Sequence, residues 1–179
     1  MVVSPNLVRL SRIMALLSLI GALMLPLATA VCFLFPFEAW AVGMNMGQLA
    51  PYLSDAVPLE NRILGGLVAL VPDAIMMWGL WSLNRLFGLY AEGEVFSPDA
   101  LRALRNVATA MFWRVLAGFA MQPAIVYLLT MWKGPGERAV ALGIGSGDVF
   151  LLFLGGVALV IARVMTDARG LAEENASFV

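Results

Sequence analysis

The chain opens with 25 consecutive residues, 13–37, that carry no charge, and about 20 apolar residues are enough to take a helix across the hydrocarbon of a bilayer. Three comparable runs follow. Residues 63–84 hold one charge, Asp73, and residues 106–132 hold one, Arg114, while residues 139–162 hold Asp148 at the end of a glycine-rich start, 143–147. A segment in lipid must satisfy its own backbone hydrogen bonds, so each run is predicted to be helix. Composition agrees: 61% of residues are hydrophobic and 13% charged, against roughly half and a quarter in a soluble domain. The predicted fold is all-α, a polytopic four-transmembrane-helix bundle forming one membrane domain. Its spans lie near 13–37, 63–84, 107–132 and 145–166, and a cytoplasmic amphipathic helix precedes the third span. The first run, long for the 7–15-residue core of a signal peptide, is read as a retained span despite the cleavage-like Ala28-Thr29-Ala30.

Arginine and lysine near span ends stay in the cytoplasm, and their distribution is asymmetric. Arg9, Arg12, Arg85, Arg102, Arg105, Arg163 and Arg169 fall on one side; Arg62, Lys133 and Arg138 fall on the other. Both termini are therefore expected in the cytoplasm, with an outer loop at 38–62, a cytoplasmic loop at 85–106 and a cytoplasmic tail at 167–179. Such a chain is expected to be a multi-pass protein of a membrane that borders the cytoplasm.

Several chemistries are disfavoured by composition. The chain has no histidine and one cysteine, which removes imidazole ligation, histidine-based triads and thiolate clusters. A net charge of −1 gives no overall basic surplus for nucleic acid. Met44, Met46, Met76 and Met77 are soft donors, but no second ligand type accompanies them, and methionine commonly fills apolar space. Cys32 reads as a small apolar residue within the first span. The glycines of 143–147 lack the lysine of a phosphate loop and read as a turn leading into a helix. No cofactor, metal or enzymatic activity is expected.

Asp73 and Arg114 are the charges deepest in predicted spans, and each costs at least about 2.5 kcal/mol near the bilayer centre without a partner. Gly65, Ala69 and Asp73 recur at intervals of four, as do Ala110, Arg114, Gly118 and Gln122, the spacing of close helix contacts. Counted from the cytoplasmic ends, the two charges differ in depth by ~6 Å, within reach of an arginine. An intramembrane Asp73–Arg114 pair with Gln122 on the same stripe is expected, either as a register pin or as part of a proton relay. Pro26, Pro72 and Pro123 lie inside spans, where proline frees a carbonyl and bends the helix.

The second span should run on to Tyr90 and stop at Gly93, a residue suited to the left-handed conformation that closes helices. Ser97-Pro98-Asp99 then supplies an N-cap, a first-position proline and an acid for the helix dipole. Leu101, Leu104, Ala108 and Met111 follow on one face, with Asp99, Arg102, Arg105 and Asn106 opposite, so this helix is predicted to be amphipathic.

The stretch Leu86-Phe87-Gly88-Leu89-Tyr90-Ala91-Glu92-Gly93-Glu94-Val95-Phe96-Ser97-Pro98-Asp99, followed by Leu101-Arg102-Ala103-Leu104-Arg105, resembles a recurrent signature. The ending Leu171-Ala172-Glu173-Glu174-Asn175-Ala176-Ser177-Phe178-Val179 does too. Together they resemble the bacterial membrane family known as domain of unknown function 2975, with the likeness spread along the whole chain. The resemblance implies four spans and no catalytic motif. Members are often encoded beside small helix-turn-helix regulators, which implies a soluble transcriptional regulator as partner. The expected function is regulatory or signalling, with Glu92, Glu94, Arg102, Arg105, Glu173 and Glu174 as candidate contacts. The alternatives are an accessory subunit of a larger membrane complex and a small carrier using the Asp73–Arg114 stripe. Beyond the lipid bilayer, the partner classes this leaves are a regulator, complex subunits and a second copy of the chain, with no direct nucleic-acid binding.

Overall fold

The computed structural model describes residues 5–35, 49–54 and 56–177, with side chains as far as Gly170 and excepting Ala50. Four long helices account for about four-fifths of them: α1 (Pro5–Leu34), α2 (Leu59–Ala91), α3 (Pro98–Thr130) and α4 (Ser146–Ser177). A short 3-10 turn, Ala50–Tyr52, precedes α2. All four helices are long and apolar enough to cross a membrane, so the chain is a multi-pass membrane protein of the all-α, four-span class. Pro26, Pro72 and Pro123 lie inside α1, α2 and α3, none of which they terminate.

Local chemistry sets the helix ends. Gly93 takes the left-handed conformation (φ 87°); its N–H donates to the Tyr90 carbonyl and that of Glu94 to Leu89. That pair of bonds closes the end of α2 in the glycine-dependent manner foreseen from sequence. Ser97 Oγ accepts the Ala100 N–H at 3.1 Å, capping α3. The amphipathic stretch and the third span form one continuous helix, Pro98–Thr130, which runs on through Pro123 although that residue has no N–H to give the backbone ladder. The last span also outruns its predicted end, with α4 helical through much of the expected tail.

The chain forms two compact units, each containing segments of all four helices. In the first (Met1–Ala22, Met76–Phe112, Leu152–Val179), Leu86, Ala100 and Ala103 form a buried cluster with Leu83, Leu89, Tyr90 and Leu104 around it. Small residues bring its helices together: a Cβ on Gly79 would stand 2.7 Å from the Ala110 Cβ. Asn84 donates to the Ala15 carbonyl at 2.7 Å, tying α2 to α1.

The second unit (Leu23–Ile75, Trp113–Leu151) is built on Phe33, Leu49, Leu53, Val57, Ala69, Ile125, Val126 and Leu129. Leu49 and Leu53 come from the loop before α2, so the described part of that loop folds onto helices rather than extending from them. Most of its remainder, 36–48 and 55, including Met44 and Met46, lies outside the described residues. Asn61 donates to the Leu128 carbonyl at 2.8 Å, joining α2 to α3.

The helix contact at Gly79 yields a stability test. Gly79→Ala should lower the melting temperature of the detergent-purified protein, since an added methyl without room costs about 1–3 kcal/mol. Gly88 faces open space, so Gly88→Ala should leave melting unchanged or raise it through helix propensity.

Candidate functional site: a polar cavity at an interrupted span

Between α3 and α4, residues 139–145 form no regular secondary structure. They alternate. Val140, Leu142 and Ile144 are exposed at 69%, 61% and 58%, whereas Ala139, Ala141, Gly143 and Gly145 turn partly inward, with Ala139 and Ala141 packed on the second unit's core. A period of two with small residues inside and branched apolar ones outside lets an extended strap lie flat on a helix. Two α3 side chains hold it: Thr130 Oγ1 accepts the Ala139 N–H at 3.0 Å, and Gln122 Oε1 accepts the Gly143 N–H at 2.9 Å. Four extended residues cover about 13 Å and eight helical ones about 12 Å, so the strap runs antiparallel to α3 in matched steps.

The strap delivers the first turn of α4 to Arg114, the midpoint of α3. There Asp148 has two bonds: one carboxylate oxygen accepts the Gly145 N–H at 2.9 Å, and the other meets Arg114 Nη1 at 3.4 Å. The first satisfies a donor at the helix start, and the acid suits the positive end of the helix dipole. Both side chains keep about a quarter of their surface exposed.

Asp73, 3% exposed, accepts the Thr29 hydroxyl at 2.5 Å. Asp73, Arg114, Gln122 and Asp148 line one cavity of about 90 Å³, with Pro72, Gly118 and Gly143 among its other walls. That volume holds a few water-sized molecules. The polar stripe expected from sequence thus converges on one cavity, but its pairing differs: Arg114 forms its ion pair with Asp148, and Asp73 is served by Thr29. The physical reason is the strap, which brings in a carboxylate from α4, outside the four-residue spacing of α2 and α3. Thr29 and Asp148 were the residues missed. The alternation of residues 139–145 and an acid three residues after Gly145 were the signals that could have found Asp148; a lone threonine in an apolar run gives none.

The other sequence candidates lie in the first unit. Arg102 is bound to Asp99, which also meets Arg85 at 3.5 Å. Arg105 donates to Thr166 Oγ1 at 3.1 Å and Arg169 to the Phe96 carbonyl at 3.4 Å. Arg85, Arg102 and Asp99 line a cleft with Trp78, Trp81, Ser82 and Asn106; Arg102, Arg105, Thr166 and Arg169 line another. Glu92 and Glu94 are exposed in the turn between α2 and α3. The side chains of Glu173 and Glu174 lie outside the described residues. Arg85 and Arg169 join this set only in three dimensions.

The revised pairing is testable by double-mutant melting. Arg114→Met alone should cost about 1.5–3 kcal/mol, the worth of a charge-assisted bond. Adding Asp148→Asn, which keeps an acceptor for Gly145, should recover most of that loss, whereas adding Asp73→Asn should not.

Compared with known proteins, residues 46–179 match the family described as Protein of unknown function (DUF2975), so α1 precedes the matched region. No curated protein and no solved structure matches the chain. With three of its four long helices and both candidate sites' charged residues inside the match, the chain belongs to the DUF2975 family.

Proposed function

We propose that this protein is a non-enzymatic regulatory protein of the bacterial inner membrane, with both termini in the cytoplasm, that docks a soluble partner on the arginine surface of its first unit. The observation that carries this reading is the fixed array of Arg85, Arg102, Arg105 and Arg169. Asp99, Thr166 and the Phe96 carbonyl anchor them, while the side chains of Arg85 and Arg102 stay 65% and 74% exposed. Anchored guanidinium groups lose less side-chain freedom on binding and present planar donors to carboxylates. The complementary partner surface is acidic. The family resemblance supports a helix-turn-helix regulator as the first candidate; Glu92 and Glu94, on the adjoining turn, would discourage acidic surfaces docked out of register.

The asymmetry of arginine and lysine supports this orientation. A fluorescent reporter that matures only in the cytoplasm, fused after residue 179, should be bright, and fused within 133–138 it should be dark. Affinity purification from native membrane in mild detergent should recover a soluble protein with wild type and lose it with Arg102→Glu plus Arg105→Glu. Recovery of membrane subunits alone, retained by both forms, would replace the regulatory reading with an accessory role in a membrane complex.

The cavity favours a second reading, a small carrier, because it places Asp73, Arg114 and Asp148 around shared space. Under that reading Asp73→Asn abolishes uptake in vesicles; under the regulatory one it leaves partner recovery intact.

A further inference from the structure

Within the second unit, α1 and α2 leave a shallow apolar groove of about 160 Å³, floored by Ala30, Phe33 and Gly66 and walled by Leu34, Leu67 and Leu70. Gly66 makes the floor low: a Cβ there would already stand 3.2 Å from Phe33. The walls are open to the surroundings, with Leu34 and Leu67 exposed at 42% and 58%. Both helices are long and apolar enough to cross a membrane, so hydrocarbon chains surround this face.

Arg62 stands at one end of the groove. Its Nη1 donates to the Leu34 carbonyl at 3.2 Å, fixing the guanidinium against the last turn of α1. Its Nε is enclosed by the protein without an acceptor, which leaves the exposed outer nitrogens to meet a ligand, and none of the ion pairs among the described residues includes Arg62. A guanidinium has five N–H donors in a planar fork that matches a phosphate. The groove runs from Arg62 to Leu70, about 12 Å along α2, with the cation at its head and only apolar side chains below.

We propose that this groove is a binding site for one anionic glycerophospholipid, with its phosphate on Arg62 and one acyl chain along Gly66 and Leu70 against Ala30 and Phe33. Apolar contact alone would accept any chain in the bilayer. The arginine selects a molecule carrying a phosphate at that depth, and a headgroup with no ammonium of its own leaves that phosphate without a competing cation.

Native mass spectrometry of the full chain in mild detergent tests the site, using phosphatidylglycerol and a diacylglycerol with the same chains as probes. Wild type should retain phosphatidylglycerol about tenfold better than diacylglycerol, the ratio that one charge-assisted contact supplies. Arg62→Gln should erase that preference. Ala30→Phe fills the groove without touching the guanidinium and should reduce binding of both lipids, which keeps the test decisive if Arg62→Gln fails to fold. Equal retention of the two lipids by wild type, or undiminished phosphatidylglycerol binding by Ala30→Phe, would overturn the assignment.

Discussion

A backbone amide at membrane depth has no water to bond, so every departure from helix there needs a substitute partner. In this protein that constraint bears on residues 139–145, which lie along α3 between Thr130 and Gln122. The strap is affordable because the hydroxyl of Thr130, the amide of Gln122 and the carboxylate of Asp148 accept three of its N–H groups. Without these acceptors, α4 would have no means of starting beside the middle of α3. Gln122 is therefore a structural partner of the strap as well as a wall of the cavity.

The same constraint organises the charges. Asp148 answers a helix start and a guanidinium together, which makes an isolated cation inside a span tolerable. Asp73 has a hydroxyl from α1 instead. The result is a cavity whose polar side chains come from α2, α3 and α4, with the strap as a further wall, rather than a single cross-helix pair. Such a cavity is compatible with water or a small solute; the exposed, anchored arginines of the first unit are suited to a macromolecular partner. These are different chemical capacities, and the regulatory proposal rests on the second.

Much of the architecture was legible because membrane solvation leaves few choices. Four uncharged or nearly uncharged runs require four helices, and Gly93 and Ser97 punctuate the turn between α2 and α3 through strictly local bonds. The inward faces carrying Ala69, Asp73, Ala110 and Gln122 also followed from helical spacing, and all four residues are buried. The partners of those faces were less legible. Sequence separation says nothing about whether Arg114 meets an acid 41 residues before it or 34 residues after it. In the loop before α2, the apolar side chains of Leu49, Tyr52 and Leu53 marked it as able to pack on the helices without showing where, and Leu49 and Leu53 enter the core there.

The sequence by itself determined the solvent, the number of spans and the local helix ends, because hydrocarbon forbids unpaired backbone and because caps depend on residues a few positions apart. Tertiary structure decided that α4 begins beside Arg114, that Asp148 joins the polar cavity while Thr29 serves Asp73, and that Arg85 and Arg169 join Arg102 and Arg105 on one surface. Those outcomes depend on which helix faces meet and at what register, quantities set by side-chain packing between distant parts of the chain.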